Sequence, residues 1–237
     1  MKATVLIPAA GMGRRMGASI NKQYLDLAGK PILAHTLALF EQHPLVEHIY
    51  PILPPDEIAH CQQQIIDYYG FAKVRRLVPG GAERQDSVRN GLQALKEDGL
   101  AQAERIVLIH DGARPLFNPQ LLAKLLESII AQGACIVGVP AKDTIKEVDA
   151  GLIRGTPERS RLWQAQTPQG FRYRLLAEAF ARADADRYLG TDDASLLERC
   201  GMPIAMLQGD YRNIKVTTPE DLLVAAAFLD MQREESA

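Results

Sequence analysis

The chain has 237 residues, 47% hydrophobic and 24% charged, a balance that supports a substantial core without disulfide or metal staples. Its formal net charge of −2 leaves no global basic field, which argues against non-specific nucleic-acid binding and requires any anion site to be a local cluster of cations. The three cysteines, Cys61, Cys135 and Cys200, lack any metal-binding spacing, no stretch is apolar enough to cross a membrane, and Met1-Lys2-Ala3 runs into a strand without a signal-peptide core, so a cytoplasmic protein with free thiols, no zinc and no membrane contact is expected.

In chain order, residues 4–8 form a short apolar run that reads as a buried strand. It opens into Ala9-Ala10-Gly11-Met12-Gly13-Arg14-Arg15-Met16, with Asn21-Lys22-Gln23-Tyr24 following. The pattern then predicts a helix over 32–42, a strand over 46–53, a helix over 55–69 and a strand over 73–78. A helix over 84–97, a strand over 105–110, a helix over 119–132 and a strand over 135–140 come next. Beyond a hairpin, helices are predicted over 173–183, 193–199 and 219–233, and strands over 204–207 and 214–216. Asn118-Pro119 and Thr218-Pro219 each set a capping residue before a proline at the first helical position, and Asp221 completes a weaker capping box. Such alternation predicts an α/β chain with a Rossmann-like, mostly parallel sheet flanked by helices. The continuous apolar runs Val107-Leu108-Ile109 and Ile136-Val137 suit strands covered on both faces.

Residues 143–156 break the alternation. They read as a hairpin with a three-residue loop, Asp149-Ala150-Gly151. An isolated hairpin is marginal in water. This one carries Ile145, Val148 and Ile153, so it is expected to pack on a partner subunit or on the edge of its own domain. No repeat or linker is visible, and the expectation is one domain over 1–237 with an inserted β-hairpin arm at 141–161 and a frayed tail.

The chemistry-bearing residues fall in loops at predicted strand ends. Gly11 and Gly13 offer backbone N–H groups to a phosphate, and Arg14, Arg15 and Lys22 supply charge. A dinucleotide fingerprint fails because Met16 occupies the third glycine position, and no G-x-x-x-x-G-K-[ST] occurs. The second loop, Pro79-Gly80-Gly81-Ala82-Glu83-Arg84-Gln85-Asp86-Ser87-Val88, lets a flat base approach the backbone, with Ser87 in reach to hydrogen-bond it. The third, His110-Asp111-Gly112-Ala113-Arg114-Pro115, places Asp111 at a strand end, where it suits Mg²⁺ on phosphates. Ligands of open α/β sheets bind at that edge. Lys215, inside the strand expected at 214–216, has to snorkel, pair or bind an anion. His110 reads as a buried structural histidine and Trp163 as a core or interface residue.

Together with Asp143-Thr144-Ile145-Lys146, Thr167-Pro168-Gln169, Thr191-Asp192 and Asn213-Ile214-Lys215-Val216-Thr217, these motifs closely resemble the 2-C-methyl-D-erythritol 4-phosphate cytidylyltransferase family of the non-mevalonate isoprenoid pathway. The resemblance runs from residue 8 to residue 217 in family order. It implies the nucleotidyltransferase fold and transfer of CMP from CTP to methylerythritol phosphate with release of pyrophosphate. By the family's pattern, Arg15, Lys22 and Lys215 stabilise the triphosphate. Ala9, Ala10, Gly11, Gly81, Ala82 and Ser87 surround the cytosine nucleotide. Asp111 lies by Mg²⁺ and the polyol, while Arg114, Thr144, Arg159, Thr167 and Thr191 hold methylerythritol phosphate. The arm implies a homodimer in which Thr144 and Arg159 serve the neighbouring site. Asn21, Gly112 and Asp193 depart from the pattern, standing where proline, alanine and glutamate are common; Arg14 has no assigned role and reads as solvated.

Three rivals share parts of this pattern. A ribitol 5-phosphate cytidylyltransferase would share the nucleotide half and differ at Thr144, Arg159 and Thr191. A sugar-1-phosphate nucleotidyltransferase is usually longer, with an added domain. A nucleotide-binding regulatory module would not need Arg15, Lys22 and Lys215 together.

Overall fold

In β1 (Ala3–Pro8) Val5 and Ile7 enter one apolar core and Leu6 enters another, so the strand is covered on both faces. The computed structural model describes residues 2–11 and 21–235. After β1 a small antiparallel pair, β2 (Asp26–Leu27) and β3 (Lys30–Pro31), leads into α1 (Ile32–Glu41). Next come β4 (Val46–Leu53), α2 (Ile58–Cys61), β5 (Val78–Pro79) and α3 (Arg84–Glu97). These are followed by β6 (Ile106–Ile109), α4 (Leu122–Gln132) and β7 (Ala134–Pro140). The arm consists of β8 (Glu147–Asp149) and β9 (Leu152–Gly155). The chain closes with β10 (Trp163–Arg172), α5 (Tyr173–Ala185), α6 (Asp193–Arg199), β11 (Ala205–Gln208) and α7 (Pro219–Glu235).

The main sheet has seven strands in the order β11-β7-β10-β6-β1-β4-β5. Its pairs are parallel except where β10 runs antiparallel between β6 and β7. One face buries Leu33, Leu37 and Phe40 of α1 with Leu122, Leu125 and Ile129 of α4. The other buries Val88, Leu92 and Leu95 of α3 with Leu176 and Phe180 of α5. At roughly 1.5–3 kcal/mol for each fully buried side chain, these two layers dominate the stability. A third cluster, with Leu27, Leu116, Val216 and Ala225, docks α7 beside the loop that follows β6. No helix among the described residues is long and apolar enough to cross a membrane.

The predicted caps form. Asn118 accepts a hydrogen bond from the Gln120 N–H at 3.0 Å. Ahead of α7, the Thr217 and Thr218 amides donate to Asp221 Oδ2 at 2.8 and 2.9 Å, and the Asp221 amide donates back to Thr218 Oγ1 at 3.3 Å. Such a cap is worth about 1 kcal/mol and pins the backbone just beyond Lys215.

Several elements differ from expectation. Residues 214–216 are not a strand: β11 holds the sheet edge, and Val216 contributes a single amide bond to the Ala113 carbonyl at 2.8 Å. The strand expected at 73–78 reduces to a bridge between Ile49 and Val74 and the short β5. The intervening Arg75 and Arg76 turn outward to Asp98 and Glu97. The helix expected at 55–69 opens as a 3₁₀ turn, Pro55–Glu57, and widens into a π-turn at Gln62–Asp67. The arm's turn has two residues, not three: Ala150 (φ 48°) and Gly151 (φ 79°) are both left-handed, the geometry that matches strand twist in a tight hairpin. On the arm, Val148, Leu152 and Ile153 are 59–65% exposed within one chain.

β10 is the element that sequence patterning did not predict. Gln164, Gln166, Gln169, Pro168 and Gly170 interrupt any apolar pattern that would mark a strand. The polar groups are satisfied by other loops: Gln166 Nε2 donates to the Asp210 carbonyl at 2.9 Å, and Gln169 Nε2 donates to Asp192 Oδ2 at 2.7 Å. Pro168 falls at the irregularity between Ala165 and Gln169, where ladder pairing to β7 is interrupted.

Candidate active site

The loops after β1, β5 and β6 converge on one cleft at the C-terminal edge of the parallel strands. It is lined by Ala9, Ala10 and Gly11, by Gly81, Ala82 and Ser87, and by Lys22, Asp111 and Lys215. The first two loops touch closely: a Cβ on Gly80 would lie 2.5 Å from the Ala10 Cβ, so only glycine permits the approach. Ser87 Oγ donates to the Glu83 carbonyl at 3.2 Å and accepts from the Gly81 N–H at 3.1 Å, fixing the glycine turn from within. Arg15, and Arg14 with it, lie outside the described residues.

Asp111 is the electrostatic centre. Lys215 Nζ lies 3.0 Å from its Oδ2, Arg114 Nε 3.4 Å from the same atom, and Arg84 Nε 3.5 Å from Oδ1. Burial alone would raise the Asp111 pKa, but Lys215, Arg84 and Arg114 outweigh it and hold the carboxyl well below the usual range. Arg84 also reaches Asp193 Oδ2 at 2.6 Å. Burial works against the Arg84 charge, but Asp193 and Asp111 overcome it and keep the guanidinium protonated. Excess positive charge is thus concentrated on one wall of an otherwise slightly acidic molecule.

A second cavity adjoins the first. It is lined by Arg114, Thr167, Thr191 and Gln166, and it shares Arg84, Asp111 and Lys215 with the first. The Thr167 hydroxyl is buried and accepts from the Asp111 N–H at 3.1 Å. Arg114 Nη1 donates to the Asn213 carbonyl at 2.7 Å, and Asn213 Nδ2 donates to the Thr167 carbonyl at 2.9 Å. Thr144 and Arg159 line neither cavity. Thr144 is exposed on the arm, and Arg159 Nη1 donates to the Lys142 carbonyl at 3.1 Å.

Arg84, Gln169 and Asn213 fall within the sequence motifs, but the motifs assign them no role. The signal available was chemical type: amides and a guanidinium inside a buried sheet edge have to be bonded to something. His110 is fully buried as expected, with Nε2 3.0 Å from the Arg114 carbonyl and Nδ1 3.1 Å from Thr167 Oγ1. Trp163 sits partly exposed at the foot of the arm.

A mostly parallel sheet with a glycine-lined, cation-walled cleft beyond its strand ends suits a ligand that carries phosphate. The sequence profile of the 2-C-methyl-D-erythritol 4-phosphate cytidylyltransferase family matches residues 3–231. Proteins of that name from Syntrophotalea carbinolica and Geotalea uraniireducens are 59% and 54% identical over 230 and 235 residues, covering 97% and 99% of this chain and 97% and 100% of theirs. The solved structure of the Francisella tularensis protein of that name aligns with a TM-score of 0.81 at 33% identity, covering 95% of this chain and 98% of that one. The chain belongs to the 2-C-methyl-D-erythritol 4-phosphate cytidylyltransferase family.

Proposed function

We propose that the chain transfers CMP from CTP to 2-C-methyl-D-erythritol 4-phosphate, giving 4-diphosphocytidyl-2-C-methyl-D-erythritol and pyrophosphate. One observation carries the assignment of parts: two adjoining cavities meet at Arg84, Asp111 and Lys215. Two substrates that exchange a phosphoryl group need such a shared wall. An acceptor phosphate oxygen attacks the α-phosphorus, the bond to the β-phosphate oxygen breaks, and pyrophosphate departs with the electron pair. The protein's task is positioning and charge neutralisation, with little covalent work.

In this reading Ala9, Ala10, Gly11, Gly81, Ala82 and Ser87 hold the cytidine nucleotide. Arg15, Lys22 and Lys215 neutralise its phosphates. Arg114, Thr167 and Thr191 face the acceptor, and Thr144 and Arg159 reach it from a second copy across a homodimer built on the 141–161 arm. The exposed Val148, Leu152 and Ile153 support that arrangement. The rest of the chain forms one domain.

No group of three metal-ligating side chains occurs among the described residues. Among the described residues that line both cavities, Asp111 is the one carboxylate, and it is held ionised. One carboxylate plus substrate phosphates fits Mg²⁺, which keeps most of its shell as water and phosphate oxygen. Mg²⁺ so held would neutralise phosphate charge, and Asp111 is the residue that would hold it.

The test is pyrophosphate release from CTP with Mg²⁺ and methylerythritol phosphate, run beside ribitol 5-phosphate and an acceptor-free control. Release dependent on methylerythritol phosphate is expected. A preference for ribitol 5-phosphate, or no release with either, overturns the assignment.

A further inference from the structure

Lys22 stands on a short 3₁₀ turn, Lys22–Tyr24, and its two sequence neighbours end on one carboxylate. Asn21 Nδ2 donates to Glu57 Oε1, and Gln23 Nε2 donates to Glu57 Oε2 at 2.8 Å. Gln23 is buried, with 1% of its surface exposed, and its Oε1 has no partner among the described residues, so Glu57 is what orients this carboxamide. Glu57 ends the 3₁₀ turn Pro55–Glu57 and is therefore tied to the end of β4. The Tyr24 ring meets His60 edge-on at 5.0 Å, which sets the far end of the same turn against α2. Glu57 itself lines neither cavity of the site.

We propose that Glu57 is a positioning residue: by gripping Asn21 and Gln23 it fixes the backbone from which Lys22 addresses the triphosphate. This rests on the proposed role of Lys22. Two acceptor oxygens of one half-buried carboxylate hold the residues before and after the lysine, so the intervening Cα has little freedom to shift or rotate. A charged acceptor makes both bonds stronger than neutral pairs. Asn21 has φ −61° and ψ 138°, values that proline adopts without strain. A proline at position 21 would supply by ring closure part of the restraint that Glu57 supplies by hydrogen bonding.

The experiment is a double-mutant cycle with a rescue. Glu57→Ala is expected to lower kcat by about 10-fold, with the KM for CTP moving by less than about 3-fold, as for a misplaced group acting late in the reaction. Glu57→Gln, which preserves packing and loses one of the two acceptors, should fall between. Lys22→Ala lowers kcat by roughly 10²–10³. Adding Glu57→Ala to it should then change kcat by less than about 2-fold, because the lysine to be positioned is gone. Asn21→Pro in the Glu57→Ala background is expected to restore most of the loss. An equal Glu57→Ala effect with and without Lys22 overturns the proposal, and so does a failed proline rescue. Hydrogen exchange separates the two layers of the argument. The Tyr24 and Leu25 amides, bonded to the Asn21 and Lys22 carbonyls at 3.0 and 3.2 Å, should exchange faster in Glu57→Ala. Unchanged exchange refutes the grip itself, whereas a near-normal rate in Lys22→Ala refutes the role of the lysine.

Discussion

Acid should loosen the Asp111 loop through His110, and the size of the effect follows from the structure. The His110 ring is fully buried beside Phe40 and Phe117, with ring centroids 5.0 and 5.7 Å away. The Asp111 N–H donates to Thr167 Oγ1, whose hydroxyl donates to His110 Nδ1, and His110 Nε2–H donates to the Arg114 carbonyl. This chain of bonds assigns the neutral ring with its proton on Nε2. Burial pushes the His110 pKa down to about 4, against 6.5 for the free side chain. The unfolded chain therefore binds a proton below about pH 6.5 that the folded chain refuses until about pH 4. Stability from this residue is complete above pH 6.5 and is lost as the pH falls through that window. At 1.36 kcal/mol per unit, the loss approaches about 3 kcal/mol near pH 4. Urea unfolding of the wild type and of His110→Phe at pH 7 and pH 4.5 isolates it. The variant leaves the Thr167 O–H without its acceptor and the Arg114 carbonyl without its donor, and should be weaker at pH 7 by about 2 kcal/mol. That gap should move by about 2–3 kcal/mol in the variant's favour at pH 4.5. A gap that stays constant, or a His110 ring resonance titrating near pH 6.5, would refute the reasoning.

Three further outcomes are expected. Lys215→Met should lower kcat by roughly 10²–10³, since it removes a cation shared by both cavities; a rate within a few-fold of wild type contradicts that role. Arg159→Ala should raise the KM for methylerythritol phosphate well above any change in the KM for CTP, and equal shifts would count against the acceptor-side assignment. The pair Val148→Asp and Ile153→Asp should yield monomers in sedimentation at micromolar concentration with activity lost, because two charges would enter an apolar contact; an active dimer would sink the arm's proposed role.

Strands whose faces are both buried were legible because their residues had no competing duty. β1, β4 and β7 lie within a residue of their predicted limits. The helices over 84–97 and 193–199 match at both ends, where helix-end residues and caps agree with periodicity. β10 was illegible for the opposite reason. Its glutamines serve Asp192, Asp210 and Asn213, so site chemistry overrides the alternation a strand would show. Ile214 and Val216 make the segment around Lys215 look like a strand; instead Val216 enters the α7 cluster while Lys215 turns to Asp111. The three loops that converge on the first cleft are readable from glycine and charge alone. Arg84 is not, since nothing in its local sequence announces an aspartate 109 positions away.

Asp111 also solves a problem of assembly. Lysine and two arginines gathered before any substrate arrives would repel one another and resist folding into one wall. The carboxylate acts as a resident counter-ion, a stand-in for phosphate built into the chain. It lets the cations be preorganised in the empty enzyme. On the proposed reading of the site, an incoming triphosphate exchanges one anion for another and does not have to recruit scattered charges. On that reading the same carboxylate is placed to re-pair with those cations as pyrophosphate departs, so the feature that readies the site would also help to clear it.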